Sequence, residues 1–193
     1  MWLLNSKTLL LEDFIGGQIP PYAILSHRWQ DEEVLFQDIQ TGQGFTKLGY
    51  MKIKGCCVQA QQDGIEYVWI DTCCIDKTSS AELSESINSM YRWYQNAFIC
   101  YVYLYDVGDY TSGLGDERFS QSAWFTRVWT LQELIAPEKL IFYNHAWVAI
   151  GTNESLRDQL SAITGIEADL IWATESESVT PEDCKLVQLP IIH

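Results

Sequence analysis

Four short apolar segments divide the chain and predict β-strands. They cover residues 22–25, 67–70, 98–105 and 140–143, and they are rich in Ile, Val, Tyr and Phe. Each segment is apolar at successive positions rather than at every second one, which is typical of strands that are covered on both faces. The pattern therefore predicts the buried strands of a parallel sheet.

Helical patterns lie between these strands. The first covers residues 48–63 and stops at Gly64, a residue that commonly follows the last turn of a helix. The second covers about residues 81–96, and Ser79 or Ser80 is suited to cap its start. Because strands and helices alternate along the chain, we predict an α/β fold, an open parallel sheet with helices on both faces.

A third helical segment, WFTRVWTLQELIAP at residues 124–137, carries a single carboxylate, Glu133. In a continuous helix, Glu133 lies one turn after the indole of Trp129, and a core-facing stripe is formed by Trp124, Val128, Leu131 and Ile135. A carboxylate in so apolar a helix has two interpretations. It is either a half-exposed group that pairs with a nearby arginine or caps the backbone, or a desolvated group of the kind that gathers at functional sites.

The remaining segments are less regular. We expect the N-terminal residues to pack on an edge of the sheet, and residues 108–121, which include three glycines, to form a mobile loop. Residues 167–193 are acidic and are interrupted by Ser, Thr and Pro. We therefore expect one domain over residues 1–166, followed by a poorly specified tail that is either a natural end or a point of truncation.

Composition narrows the possible partners. The net charge of −14 argues against binding to nucleic acid or to an anionic membrane, because both require positive potential facing phosphates. No apolar run approaches the roughly 20 residues of a membrane span, and the N-terminus lacks the basic start of a signal peptide. The adjacent pairs Cys56-Cys57 and Cys73-Cys74 lie in apolar segments, where we expect buried free thiols. These features favour a cytoplasmic protein.

Polar residues follow the first two predicted strands: Ser26, His27, Arg28 and Trp29 after one, and Asp71, Asp76 and Lys77 after the other. The carboxyl ends of parallel strands meet at one edge of a sheet, where open α/β folds bind ligands. The third helix adds Arg127, Trp129 and Glu133 to this edge. Arginine suits a phosphate, an aromatic ring suits a base and a carboxylate suits ribose hydroxyls, so the set indicates a nucleotide or sugar ligand.

Structural roles stay open for several of these residues. Ser26 is equally suited to ending a strand, Asp71 to capping a turn, and His27 to packing. Asp76 and Lys77 are suited to pairing with each other. The sequence contains no GxSxG, GxGxxG or P-loop motif and no histidine or acidic cluster with metal-ligand spacing. We therefore predict neither a metal nor a cofactor.

Five blocks of the sequence together resemble the fungal heterokaryon-incompatibility (HET) domain. They are YAILSHRW at 22–29, DEEVLFQDI at 31–39, GYMKIKGCCVQAQQDGIEYVWIDTCCIDK at 49–77, SSAELSESINSMYRWYQNAFICYVYLYDV at 79–107 and WFTRVWTLQELIAP at 124–137. The resemblance covers most of residues 1–166. One departure is Val128, which stands where these domains usually carry Gly.

The resemblance implies an effector of fungal allorecognition and programmed cell death. HET domains are remotely similar to Toll/interleukin-receptor (TIR) domains, which implies a flavodoxin-like fold. In that comparison SHRW matches the first-strand motif, and Trp129 with Glu133 matches the WxxxE helix of NAD-cleaving TIR enzymes. The expected activity is NAD+ glycohydrolysis with Glu133 as the catalytic carboxylate and NAD+ as substrate. The expected substrate-binding residues are Ser26, Arg28, Trp29, Asp71, Asp76, Arg127 and Trp129.

Two alternatives to this activity stay open. One is a TIR-like module without turnover, which signals death by assembling with itself or with a receptor-type activating partner. The other is a nucleoside or deoxyribosyl hydrolase on the same fold. Assembly and catalysis are also compatible, because self-association is able to complete a site between subunits.

Overall fold

Seven strands form one sheet in the computed structural model, which describes residues 1–16, 18–108 and 115–171. The strands are β1 (Trp2–Asn5), β2 (Leu11–Asp13), β3 (Tyr22–His27), β4 (Tyr67–Ile70), β5 (Ile99–Tyr103), β6 (Leu140–Tyr143) and β7 (Ala149–Thr152). Their order in the sheet is β2-β1-β4-β3-β5-β6-β7. The four predicted strands are the central ones, and they run parallel to one another.

The helices of the described residues are short, apart from two. They are α1 (Phe36–Gln40), α2 (Tyr50–Gln62), α3 (Ser80–Gln95), α4 (Gly115–Ser120), α5 (Thr130–Ile135), α6 (Arg157–Thr164) and α7 (Ala168–Ile171), with 3₁₀ turns at Gly44–Thr46 and Ala123–Thr126. The predicted helices at 48–63 and 81–96 are confirmed as α2 and α3. Gly64 follows α2 with φ +74°, and the Ser79 hydroxyl caps α3 by accepting a hydrogen bond from the Glu82 amide at 3.3 Å. No described helix has the length and apolarity that a membrane crossing requires.

The order of the central strands gives the sheet a flavodoxin-like arrangement. The chain passes from β3 through α2 to β4 on one side, then through α3 to β5 on the other side of β3. Right-handed crossovers place α2 and α3 on opposite faces of the sheet, and α3 contacts α5. The direction of winding reverses between β3 and β5, which is where folds of this type leave a crevice for ligands.

The outer strands extend this core at both edges. β1 and β2 form an antiparallel hairpin against β4, which confirms that the N-terminal residues pack on an edge. β7 pairs antiparallel with β6 at the opposite edge. All six residues of β3 are buried: the apolar run at 22–25 predicted this for four of them, and Ser26 and His27 extend the strand beyond its predicted end. Five cysteines are buried and free, also as predicted: Cys56, Cys57, Cys73, Cys74 and Cys100.

The predicted single helix at 124–137 is wrong. The segment consists of the 3₁₀ turn Ala123–Thr126, an extended residue at Arg127 (φ −84°, ψ 144°) and then α5. The Thr130 hydroxyl donates to the Trp124 carbonyl oxygen at 2.6 Å, so a side chain satisfies an acceptor that a continuous helix would use internally. Trp124 is buried, but Val128 is 90% exposed and does not belong to the core. Its φ is not positive, so the position does not require the glycine that is usual there.

The predicted loop at 108–121 is wrong in its second half, because Gly115–Ser120 is helical. The helix is anchored by Phe119, which is buried in edge-to-face contact with Phe125 and Phe142. Residues 109–114 lie outside the described residues. The same applies to residues 172–193 of the predicted tail, whose first described part forms α7.

The packing of Trp147 on α2 gives a prediction for stability. Trp147 stacks on Tyr103 with ring centroids 5.0 Å apart, and a Cβ added at Gly55 would meet the Trp147 indole nitrogen at 2.0 Å. We expect Gly55→Ala to lower the free energy of unfolding by about 1–3 kcal/mol, because the Trp147 indole must shift to make room for the new methyl group. This loss is expected although alanine has a higher helix propensity than glycine. Lys54→Ala on the exposed side of α2 is the control. Urea unfolding measures both, and a Gly55→Ala protein as stable as the parent would contradict this packing.

Candidate active site

Glu133 lies at the buried centre of a polar cluster at the carboxyl edge of the sheet, where only 2% of the residue is exposed. The Ser26 hydroxyl, at the end of β3, donates a hydrogen bond to Glu133 Oε2 at 2.5 Å. The Trp124 indole N–H in turn donates to Ser26 Oγ at 2.8 Å. Ser26 therefore does more than end a strand, because the indole fixes its hydroxyl in the orientation that binds the carboxylate.

Arg127 forms a bidentate ion pair with Glu133. Its Nη1 lies 2.8 Å from Oε2 and its Nη2 lies 2.9 Å from Oε1. Burial lowers the pKa of Arg127, but the charge of Glu133 and its hydrogen bonds to the guanidinium, with smaller contributions from Tyr94 and Asp71, together raise the pKa above its usual value. The ion pair offsets the cost of burying Glu133, which would be several kcal/mol for an unpaired charge. Glu133 is thus paired with an arginine, as the first interpretation expected, but it is buried rather than half-exposed.

α5 places the carboxylate relative to the rim of the site. The helix begins after Trp129, and the Glu133 amide donates to the Trp129 carbonyl oxygen at 3.2 Å. The predicted spacing of one helical turn between these two residues is therefore confirmed. The Trp129 residue is 44% exposed. A half-exposed indole therefore lies one helical turn before the buried carboxylate.

A second carboxyl group, Asp71, follows β4 at the same edge. Its Oδ2 accepts a hydrogen bond from the Trp29 indole N–H at 2.7 Å, and its Oδ1 lies 3.6 Å from His27 Nε2. Burial raises the pKa of Asp71 to about 6; the charge of Glu133 adds to the shift, while the hydrogen bond from Trp29 opposes it. The Asp71 side chain is 21% exposed. Asp71 thus joins Trp29 to the site that contains Glu133.

Lys77 contacts both the Trp29 ring and the backbone that carries Asp71. Its ammonium lies 4.5 Å from the centre of the Trp29 ring and donates to the carbonyl oxygens of Asp71 and Thr72 at 2.6 and 3.1 Å. The alternative of a pair between Lys77 and Asp76 is not observed. Asp76 instead accepts hydrogen bonds from Gln37 and from the Thr78 hydroxyl at 2.7 and 2.6 Å.

His27 is buried at the end of β3 and has no hydrogen-bond partner on either ring nitrogen among the described residues. Burial lowers its pKa well below the usual value, and the charges of Lys52, Arg127 and Lys77 lower it further. His27 is therefore neutral at neutral pH. Of the other predicted residues, Arg28 is exposed at the rim.

Sequence reasoning missed a buried ion pair beneath this rim. Lys52 on α2 lies 2.5 Å from Glu33 Oε1, and the two side chains are 4% and 5% exposed. Glu33 also accepts from the Gln30 amide at 2.8 Å, and Lys52 reaches the Arg28 carbonyl oxygen at 3.5 Å. The pair holds the segment that carries Trp29. A lysine beside Ile53 on the apolar stripe of α2 is the signal that would have revealed it.

The ion pair of Arg127 with Glu133 gives a stability prediction. We expect Arg127→Ala to lower the free energy of unfolding by about 3–5 kcal/mol, because it leaves a buried carboxylate without its partner. Adding Glu133→Gln should restore at least about 1 kcal/mol, since no uncompensated charge then remains. Denaturant unfolding of the single and double variants measures this coupling. Arg157→Ala, which removes a surface ion pair, is the control, and additive losses at Arg127 and Glu133 would contradict the coupling.

The arrangement is suited to chemistry at a sugar carbon. It combines a carboxylate fixed by Ser26 and Arg127 with a second carboxyl group, that of Asp71, and its half-exposed partner indole, Trp29, at the carboxyl edge of the sheet. Within residues 1–16, 18–108 and 115–171, no group of three or more His, Cys, Asp or Glu side chains is placed to hold a metal ion.

Comparison with known proteins gives the family. Residues 22–115 match the family model for heterokaryon incompatibility protein (HET), a range that includes Ser26, Trp29 and Asp71 and ends before Glu133. The chain is 48% identical over 167 residues to the vegetative incompatibility protein HET-E-1 of Podospora anserina. That match covers 83% of this chain and 12% of the relative, so the chain spans only a small part of the relative's length. No solved structure matches the chain. The chain belongs to the heterokaryon incompatibility (HET) family.

Proposed function

We propose that this domain cleaves the bond between nicotinamide and ribose in NAD+, with Glu133 as the catalytic carboxylate. The observation that carries the proposal is a buried, ion-paired carboxylate at the crevice where the sheet reverses its winding. Ligands of open α/β folds bind at this position. A carboxylate that serves only the fold has little reason to lie there, because an apolar side chain of similar volume would give equal or greater stability.

The chemistry suits a site with one fixed carboxylate. Most glycosidases need a second carboxyl group to protonate the leaving oxygen. Nicotinamide departs from a cationic pyridinium as a neutral molecule, so its departure requires no proton. Glu133 stabilises the positive charge that develops on the ribose carbon and holds a ribose hydroxyl or the attacking water. The hydrogen bond from Ser26 keeps this carboxylate in one orientation.

Cationic and indole side chains are available to bind the pyrophosphate and the nicotinamide ring of NAD+. Arg28 is exposed at the rim and would meet the pyrophosphate, while Arg127 remains paired with Glu133. Trp29 and Trp129 are both half-exposed and offer a ring for stacking. Trp129 is the better partner for the cationic nicotinamide ring, because Trp29 already carries the Lys77 ammonium over its face.

In the cell, this activity would serve vegetative incompatibility. The family match and the name of the Podospora relative support that role. In HET domains the outcome is the death of cells formed when genetically different hyphae fuse. Depletion of NAD+ by the domain would link recognition to death through one chemical step.

A scaffold without turnover is the second candidate function, and exposed apolar side chains favour it. Phe45, Leu48 and Met51, around the start of α2, are 64–72% exposed, and Val128 is 90% exposed. Such surfaces often mark contacts with other proteins. A TIR-like module would use them to assemble with itself or with a receptor-type partner, and NAD+ would then remain intact.

Replacing the carboxylate separates the two functions. We expect Glu133→Gln to reduce nicotinamide release from NAD+ by about 10³-fold or more, because the amide cannot stabilise the developing positive charge. Nicotinamide is measured chromatographically with purified protein at high concentration, and circular dichroism checks the fold. Glu138→Gln on the exposed surface is the matched control. Equal release by Glu133→Gln and the parent would contradict the assignment, and no release by the parent, even when crowded, would favour the scaffold.

A further inference from the structure

We propose that Asp71 is a second catalytic carboxyl group, which protonates a departing nucleobase, so that the site also cleaves N-ribosides of uncharged bases. The inference rests on the proposed function in one respect, the role of Glu133 at the ribose carbon. It extends that function from NAD+, whose leaving group departs without a proton, to N-ribosides whose departing base must be protonated.

The topology places Asp71 beside Ser26, the residue at the end of β3 that binds Glu133 of α5. Leu25 of β3 pairs with Ile70 of β4, so Ser26 and Asp71 are the next residues along two adjacent parallel strands. Ser26 holds Glu133 at 2.5 Å. The backbones of adjacent strands lie about 4.8 Å apart, and the charge of Glu133 acts on Asp71. The two carboxyl groups therefore belong to one site, as the paired carboxyl groups of glycosidases do.

The contacts of Asp71 leave it free for such a role. Its Oδ1 is buried and has no hydrogen-bond partner among the residues that the structure describes, and it faces His27. The exposed fifth of the side chain therefore lies toward Oδ2, which the Trp29 indole N–H holds in place. A residue that capped a turn would accept a hydrogen bond from a backbone amide, and the hydrogen bond given for Asp71 comes instead from an indole. Asp71 instead presents one side of its carboxyl group to the rim beside a half-exposed indole.

The surroundings of Asp71 make it the proton donor of the pair. Burial raises its pKa to about 6, whereas Glu133 forms a bidentate ion pair with the Arg127 guanidinium. Roughly a tenth of the Asp71 carboxyl groups are then protonated at pH 7. The charged or titratable groups that act on Asp71 come from every neighbouring element: His27 from β3, Lys52 from α2, Cys73 and Lys77 from the turn after β4, Tyr94 from α3, Arg127 from the segment before α5 and Glu133 from α5.

The proposed step is a hydrolysis that balances without a further reactant. The bond between the ribose carbon and the base nitrogen breaks, its electron pair stays on nitrogen, and the nitrogen takes the proton of Asp71. Glu133 stabilises the positive charge left on the ribose carbon. Water then adds its hydroxyl to that carbon and returns its other proton to Asp71. The products are the free base and the free sugar.

Two substrates with different leaving groups test the inference. NAD+ releases neutral nicotinamide without a proton, and inosine releases a base that needs one. We expect Asp71→Asn to lower kcat/KM for inosine by about 10²–10⁴-fold, a loss at least about tenfold greater than its loss for NAD+, because only the inosine base needs a proton. p-Nitrophenyl β-D-ribofuranoside, whose leaving group needs no proton, should remain a good substrate of Asp71→Asn. Glu133→Gln should lower all three activities.

The pH profile adds a signature that a purely structural role would not produce. The donor is the protonated form of Asp71, so inosine cleavage by the parent should fall as pH rises through about 6. NAD+ cleavage by the parent should not show this fall in rate. Inosine cleavage by Asp71→Asn should not show it either. Asn retains an oxygen that accepts from Trp29, and circular dichroism checks the fold. Asp63→Asn, at the amino ends of the strands, is the matched control.

The outcomes separate this inference from the proposed function. If the parent cleaves NAD+ but not inosine, the role of Asp71 is overturned and that of Glu133 stands. Equal loss of both activities in Asp71→Asn also overturns it, because Asp71 would then act in binding or folding. Cleavage of inosine alone, lost in Asp71→Asn, supports the inference and removes NAD+ as substrate. Cleavage of neither substrate overturns both proposals.

Discussion

The burial of one negative charge, Glu133, is the constraint on which the rest of the site depends. A carboxylate that is 2% exposed requires compensation, and the chain supplies it from three directions. Arg127 provides the opposite charge, Ser26 donates a hydrogen bond, and Trp124 fixes the Ser26 hydroxyl. The break between the 3₁₀ turn and α5 belongs to the same arrangement, because an extended residue at Arg127 lets its guanidinium turn back onto Glu133.

The topology of the sheet explains why this cluster lies where a ligand would bind. β3 is the strand from which the chain winds in both directions, and its last residues carry Ser26 and His27. β4 delivers Asp71 to the same edge. Side chains that are far apart in sequence thus meet because parallel strands end together. The two carboxyl groups differ in surroundings, with an ion pair around Glu133 and an indole and a neutral imidazole around Asp71.

Local patterns in the sequence predicted the fold well, and long-range contacts could not be predicted from them. The strands at 67–70 and 140–143 have the predicted bounds, because runs of buried β-branched and aromatic residues have few alternatives. The break before α5 depends on a Thr130 side chain that replaces a backbone donor, which periodicity does not show. The pair of Lys52 with Glu33 joins residues whose proximity only the folded sheet creates. The pairing of Glu133 with an arginine was one of two interpretations, and the sequence did not choose between them.

We propose that the cluster around Glu133 turns over NAD+. Real-time proton NMR of NAD+ mixed with an excess of the folded domain follows substrate and products in one sample. We expect the resonances of NAD+ to decay while those of free nicotinamide and ADP-ribose grow in equal amounts. Resonances of intact NAD+ that persist for hours beside folded protein would contradict it.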